Sequence, residues 1–174
     1  MRNFIFFFVP LAAVLVISAG CEPEHSASSS ARVETTAGFA PCQEYQPARI
    51  VFLPLTEITP ASGAGQSDTI TAYVALQDSA GSAIKTPAVF RFEIYQFKPL
   101  STDPRGKRLY IWDDIDLTSF KENSSYWRDF LRAYEFKFQC DFGGGPKYVL
   151  ELTCMLPSDT RLIEKTVIEK PTAH

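Results

Sequence analysis

The sequence predicts an all-β protein, an antiparallel β-sandwich of about seven strands with one short helix. Three observations carry that expectation. From Arg49 onward, β-branched and aromatic residues fall in short runs separated by Gly, Pro, Ser and Asp, the composition of strands and their turns. Within several runs apolar residues alternate with polar ones, the period-two signature of a half-buried strand. Turn signals recur every ten residues or so, and almost no stretch carries a helical period.

Arg49 to Ile58 is the first run, and Pro54 inside it demands an edge strand or a bulge, because proline cannot donate to a ladder. The loop from Thr59 to Gly65 follows. In Asp68 to Asp78, Ile70, Ala72, Val74 and Leu76 alternate with Thr71, Tyr73, Ala75 and Gln77, which assigns the first set to the core. Asp78-Ser79-Ala80-Gly81 supplies a turn. Val89 to Phe97 places Phe90, Phe92 and Ile94 on one face and Arg91, Glu93 and Tyr95 on the other. After a loop from Lys98 to Gly106, a short strand from Arg108 to Trp112 runs into Asp113-Asp114-Ile115-Asp116.

Asn123 or Ser124 is expected to cap one or two helical turns from Tyr126 to Leu131. Tyr134 to Leu156 reads as a hairpin: Tyr134, Phe136, Phe138, Cys140 and Phe142 form one face, Gly143-Gly144-Gly145-Pro146 turns the chain, and Tyr148, Leu150, Leu152, Cys154 and Leu156 return. In that register Cys140 and Cys154 are about 20 Å apart at 3.3 Å per residue, too far for a disulfide. Cys42 bonded to one of them is the preferred pair, and three free thiols are the competing reading. Arg161 to Ile168 is the last strand. The whole fits an immunoglobulin-like or C2-like sandwich, and spacing does not choose between them.

Upstream, Met1-Arg2-Asn3 is a short positive start, and Phe4 to Ile17 is an apolar run ending in small residues, the layout of a secretory signal peptide. The run is shorter than the roughly 18 apolar residues that a membrane span requires. Ile17-Ser18-Ala19-Gly20-Cys21 resembles the lipobox of bacterial lipoproteins, in which the Cys becomes the new N-terminus and carries acyl chains such as palmitate. The family usually has a large aliphatic residue three places before the Cys; here that place holds Ser18, with Ile17 one step earlier. Glu22 to Gln46 is rich in Ala, Ser, Glu and Pro and is expected to be disordered, a tether whose coil reach is about 27 Å. The expected organisation is therefore a leader over 1–20, a lipid-bearing Cys21 and tether over 21–45, a sandwich over 46–170 and a frayed tail over 171–174. With a lipobox, a Ser/Ala-rich tether and one β-sandwich, the chain is similar to small lipoproteins of bacterial envelopes. The resemblance implies a lipid-anchored place in the cell envelope and no activity. Glu22, rather than Asp, after the lipobox Cys implies the outer membrane under the sorting rule of some bacterial lineages.

Composition excludes several functions. Residues 46–170 hold 15 Lys plus Arg against 16 Asp plus Glu, so the domain lacks the basic face of a nucleic-acid binder. Histidine occurs only at His25, in the tether, and at His174, so neither a Ser-His-Asp nor a Cys-His arrangement can be assembled within the fold, and zinc ligands are too few. Glu93, Glu135 and Glu151 sit on outward faces, where solvated polar surface is the expectation rather than paired-carboxylate catalysis. Gly143-Gly144-Gly145 opens no helix and lacks the Lys of a phosphate-binding loop.

Two weaker leads remain. Asp113, Asp114 and Asp116 at a strand end suit Ca²⁺, a hard ion taking six to eight oxygens, with Asp78 or Asp103 completing the set; an ordinary solvated turn competes. Tyr73, Tyr95, Phe97, Tyr110 and Trp112 are expected opposite the core, and Tyr95, Tyr110 and Trp112 sharing an exposed surface would suit a polysaccharide. The competing reading is packing, with Trp127 and Phe130 covering that face. The leading expectation is a non-enzymatic lipoprotein, anchored through lipid on Cys21, that presents its sandwich to an envelope protein or polysaccharide. The alternative is a ligand-binding module for calcium or a polysaccharide.

Overall fold

In the computed structural model the described residues are 45–61, 63, 66–141 and 145–171, and all belong to one unit, Gly38–His174. The leader, Cys21, the tether, Cys42, residues 142–144 and His174 lie outside them. Eleven strands form in chain order: β1 (Arg49–Phe52), β2 (Glu57–Thr59), β3 (Asp68–Gln77), β4 (Ala83–Ile84), β5 (Val89–Phe97), β6 (Arg105–Ile111), β7 (Ile115–Asp116), β8 (Trp127–Arg128), β9 (Ala133–Cys140), β10 (Lys147–Met155) and β11 (Arg161–Glu169), with helix α1 (Phe120–Tyr126) between β7 and β8. The seven longest runs anticipated from periodicity are all strands; β4, β7 and β8, two residues each, carry too little pattern to be read.

The strands make two antiparallel sheets. One has the order β1-β3-β9-β8, with β2 and β4 also on β3; the other has β11-β10-β5-β6, with β7 on β5. This is the strand order of an immunoglobulin-like sandwich, whose first, second, fifth and fourth strands pair in one sheet and whose third, sixth and seventh pair in the other. Pro54 acts as expected: it interrupts the outer edge between β1 and β2, both paired to β3. Across the gap the Thr56 hydroxyl accepts the Tyr73 N–H at 3.1 Å, and Leu53 N–H donates to the Tyr73 carbonyl at 2.8 Å. On the free edge of the other sheet, β6 is bulged against Tyr95 and Phe97. Gly106 fits there because a Cβ would lie 3.0 Å from the Gln96 carbonyl oxygen.

The core is the one that alternation assigned: Ile70, Ala72, Val74 and Leu76 of β3, Phe90, Phe92 and Ile94 of β5, Tyr134 and Phe136 of β9, and Leu150, Leu152 and Cys154 of β10 are all 0% exposed. The sheets meet through rings. Phe92 lies 4.8 Å from both Phe136 and Phe138, and Phe90 lies 5.1 Å from Phe136 and 5.3 Å from Tyr134.

The hairpin expected over Tyr134 to Leu156 does not form. β9 pairs with β3 and β8, whereas β10 pairs with β5 and β11, so the chain arches from one sheet to the other. Alternation fixes which face of each strand is buried but not which sheet the strand joins. The register from which Cys140 and Cys154 were kept apart is therefore wrong: Cys140 opposes Asp68, and Cys154 lies between Phe90 and Leu162. Both thiols are free and buried, not paired as preferred from the cysteine count. Burial pushes Cys140 up to about 11, with Asp68 adding to it, and Cys154 to about 12.

Among the described residues the helix forms earlier than Tyr126–Leu131. Its cap is Ser119, whose hydroxyl accepts the Glu122 N–H at 3.3 Å, so Ser119-Phe120-Lys121-Glu122 is the capping signature that went unread. Asn123 is not a cap but a buried bracket. Its Nδ2 donates to the Thr86 carbonyl at 2.8 Å and to the Leu117 carbonyl at 2.9 Å. The Tyr134 hydroxyl accepts the Thr86 N–H at 3.0 Å and shares its proton between the Thr86 carbonyl and Asn123 Oδ1.

Asn123→Ala is expected to destabilise the domain by on the order of 1–3 kcal/mol, because it takes the Asn123 donor from the buried Leu117 carbonyl and leaves the Tyr134 hydroxyl proton and the Thr86 carbonyl with only each other, and the loss is read from the urea midpoint. Alanine is the better helix former, so an unchanged midpoint would mean that the bracket contributes no more than the few tenths of a kcal/mol that alanine gains in the helix. In the native protein at pH 8, Cys140 and Cys154 should resist iodoacetamide and become alkylated only on unfolding, as mapped by mass spectrometry.

Candidate functional site

The outward face of the β11-β10-β5-β6 sheet carries a linked cluster of charge. Neighbouring strands place residues directly opposite one another, and here Glu151 of β10 opposes Glu93 of β5, a like-charge pair that would repel if left alone. Two arginines of the edge strand β6 resolve it. Arg108 donates to Glu93 at 2.9 Å, as does the Tyr95 hydroxyl at 2.8 Å. Arg105 forms an ion pair with Glu151 and another with Asp103, and Lys165 of β11 reaches Asp103 at 3.0 Å. The Arg105 guanidinium also sits 5.7 Å from the Tyr95 ring centroid. On the opposite outer face Glu135 is held by Arg128, by Lys137 at 3.0 Å and by the Tyr73 hydroxyl at 3.3 Å.

Solvated carboxylates were expected on these faces; instead the side chains of Glu93, Glu135 and Glu151 are only 13%, 11% and 9% exposed. Their neighbours' long stems cover them, and β10 is buried on both faces from Tyr148 to Cys154. Burial works against charge on Glu93, but the hydrogen bonds from Tyr95 and Arg108 outweigh it and its pKa is lowered. Glu135 behaves alike: burial is outweighed by Lys137 and Arg128. Asp103 is lowered by hydrogen bonds from Arg105 and Lys165. Burial, with Glu93 next, pushes the Tyr95 phenol up to about 12. A general acid needs a raised carboxyl pKa, and the shifts resolved for Glu93 and Glu135 run the other way.

The aspartates of the acidic run are engaged separately. Asp114 takes a bidentate pair from Arg91 at 2.6 and 2.7 Å, Asp116 accepts from the Thr118 N–H and hydroxyl at 2.9 and 2.6 Å, and Asp113 is exposed. Asp78 accepts the Ser82 N–H within its own turn, and Asp103 belongs to the Arg105 cluster. Among the described residues no group of three His, Cys, Asp or Glu side chains is gathered for a metal ion.

Nor do the aromatics share a surface. Tyr95 faces outward over Arg105, whereas Tyr110 opposes core-facing Ile94, and Trp112 packs against Phe138 at 4.6 Å. Tyr73 lies on the other sheet. Tyr110 and Trp112 meet edge to face at 5.3 Å, so these rings offer no single flat platform with Tyr95. Trp127 packs edge-on to Tyr134 at 5.0 Å, and Phe130, expected as cover, is 84% exposed.

Neither a protein-family model, nor a curated protein, nor a solved structure matches this chain. Its function is therefore argued from its own residues. Among the described residues no helix is long and apolar enough to cross a membrane. Sequence reading missed the Arg105–Glu151 pair, because Arg105 was placed in a loop; the signal available was the excess of Arg and Lys between 105 and 108.

The ion clusters set an acid limit. The folded pKa values of Glu93, Glu135, Asp68, Asp103 and Asp114 are all lowered. Their contribution to stability is therefore complete above the unfolded carboxylate pKa of about 4 and lost as pH falls through the folded values. Urea midpoints should be level from about pH 8 to about pH 5 and fall below about pH 4, with a shallower acid fall in Glu135→Gln. A midpoint that holds to pH 2.5 would contradict this.

Proposed function

We propose that this protein is a non-enzymatic lipoprotein of a bacterial cell envelope. Acyl chains on Cys21 hold it at a membrane, and the sandwich is presented to another envelope component, a protein or a polysaccharide. The observation that carries the reading is the order of the sequence: a charged start, an apolar run, small residues into Cys21 and a Ser/Ala-rich stretch precede a sandwich whose first strand among the described residues is Arg49–Phe52. Three acyl chains, as in the lipoprotein family, exceed the two signals that stable anchoring takes. Glu22 after the lipidated Cys favours the outer membrane.

The chemistry of the sandwich agrees with a presenting role. Residues 46–170 contain no histidine, the side chain that most often moves protons near neutral pH, and the outward glutamates are bound to cations. Networks of that kind keep a sheet face soluble and rigid, which suits a surface that recognises a partner without transforming it.

Cys21→Ser is expected to shift the protein from the membrane pellet to the soluble envelope fraction, and mass spectrometry of the wild-type N-terminal peptide should show acylation at Cys21. Full retention of Cys21→Ser in the pellet would overturn the anchor.

A further inference from the structure

The three most exposed aromatic side chains among the described residues are Tyr45 at 75%, Phe120 at 84% and Phe130 at 84%, and all three stand at one end of the sandwich. That end is where β1, β5, β9 and β11 begin and where β3 and β10 finish. Tyr45 lines a cavity of about 390 Å³ with Pro47, Thr86, Leu156 and Pro157. Phe120 lines a neighbouring one of about 220 Å³ with Lys85, Pro87 and, again, Thr86. Phe130 lies on the turn before β9, beside Arg132, whose guanidinium donates to the Ala83 carbonyl at 2.8 Å. Lys85 Nζ sits 5.4 Å over the Phe120 ring.

Rings projecting from a protein end, with long cationic side chains beside them, match the pattern of residues that settle at the boundary between lipid head groups and acyl chains. The cations Lys85, Lys121 and Arg132 are nearly balanced there by Glu122 and Asp129, so attraction to anionic lipid is not the driving term. The chain from the membrane also enters at this end, since Tyr45 is the first described residue and Cys21 lies upstream. The coil that the composition of residues 22–44 predicts would reach about 27 Å and so keep the rings at high effective concentration against the bilayer, where weak contacts suffice.

We infer that this end of the sandwich docks on the lipid surface, with Tyr45, Phe120 and Phe130 inserted at head-group depth, so that the opposite end, with Leu100 at its tip, points away from the membrane. The inference rests on the anchoring reading above and adds an orientation to it.

The test is hydroxyl-radical footprinting of the full-length mature protein in vesicles of phosphatidylethanolamine and phosphatidylcholine alone, compared with Cys21→Ser protein free in solution. Oxidation of Tyr45, Phe120 and Phe130 should slow several-fold on the vesicles while that of Leu100 and Val167, toward the opposite end, is unchanged. Phe120→Ser/Phe130→Ser should still float with vesicles, held by its lipid, but lose the protection of Tyr45; both rings are exposed, so the fold is not at stake. Flotation with full oxidation of the three rings would overturn docking and leave the anchor standing. Protection seen only in intact envelopes and not in pure lipid would overturn it in favour of a protein partner. Failure of the wild type to float would overturn the anchor and the docking together.

Discussion

The contact on which the rest of this structure depends is the seam of rings between β5 and β9. Phe90 and Phe92 come from one sheet, and Tyr134, Phe136 and Phe138 from the other, with centroids 4.8 to 5.3 Å apart. Tilted aromatic pairs at such distances contribute about 0.5–1.5 kcal/mol each beyond the area they bury. Because side chains alternate with period two, a slip of one residue in either strand would turn its rings to solvent. The seam therefore fixes register as well as separation, and through register it decides which charged residues meet on the outer faces.

Those outer faces show how a sheet can carry many carboxylates without repelling itself. Glu93 and Glu151 sit opposite each other on adjacent strands, and each has a guanidinium from the edge strand β6, Arg108 for Glu93 and Arg105 for Glu151. The arrangement ties an edge strand, whose ladder is already broken by bulges, to the centre of its sheet. Exposed ion pairs contribute little, but here the acids are mostly covered while the cations are one-third to one-half exposed. The clusters are better understood as locks on strand order than as reservoirs of stability. Lys170 and Asp68 form a further pair between the end of β11 and the start of β3.

How much of this was legible in the sequence depends on the range of the interaction. Burial faces were legible, because Ile70, Phe92, Phe136 and Leu152 each sit in a local alternation that needs no partner to be read. Pairing was not: the alternation before and after Gly143-Gly144-Gly145 is equally consistent with a hairpin and with an arch between sheets, and only the remote partners Asp68–Val74 and Val89–Gln96 decide. The helix was displaced because Asn123 looked like a cap, while Ser119 and Glu122, the real capping pair, lay beside an exposed Phe120. The outward placement of Glu93, Glu135 and Glu151 was legible, but their burial was not, since it comes from stems on other strands. The candidate aromatics failed as a set because the bulges of β6 shift its register, so Tyr110 lies opposite Ile94 rather than beside Tyr95.

The arch from β9 to β10 also sets how the chain acquires its structure. Val74 pairs with Tyr134 in one sheet and Ile94 with Leu150 in the other, residues separated by some sixty positions in each case. The strands of one sheet are drawn from residues 49–140 and those of the other from 89–169, so the two sheets interleave along the chain, and the ring seam needs both. Non-local pairing of this kind makes folding slow and all-or-none. A nascent or partly delivered chain that ends before β10 lacks the central strand of one sheet, so its hydrophobic runs stay uncovered until almost the whole sequence is present.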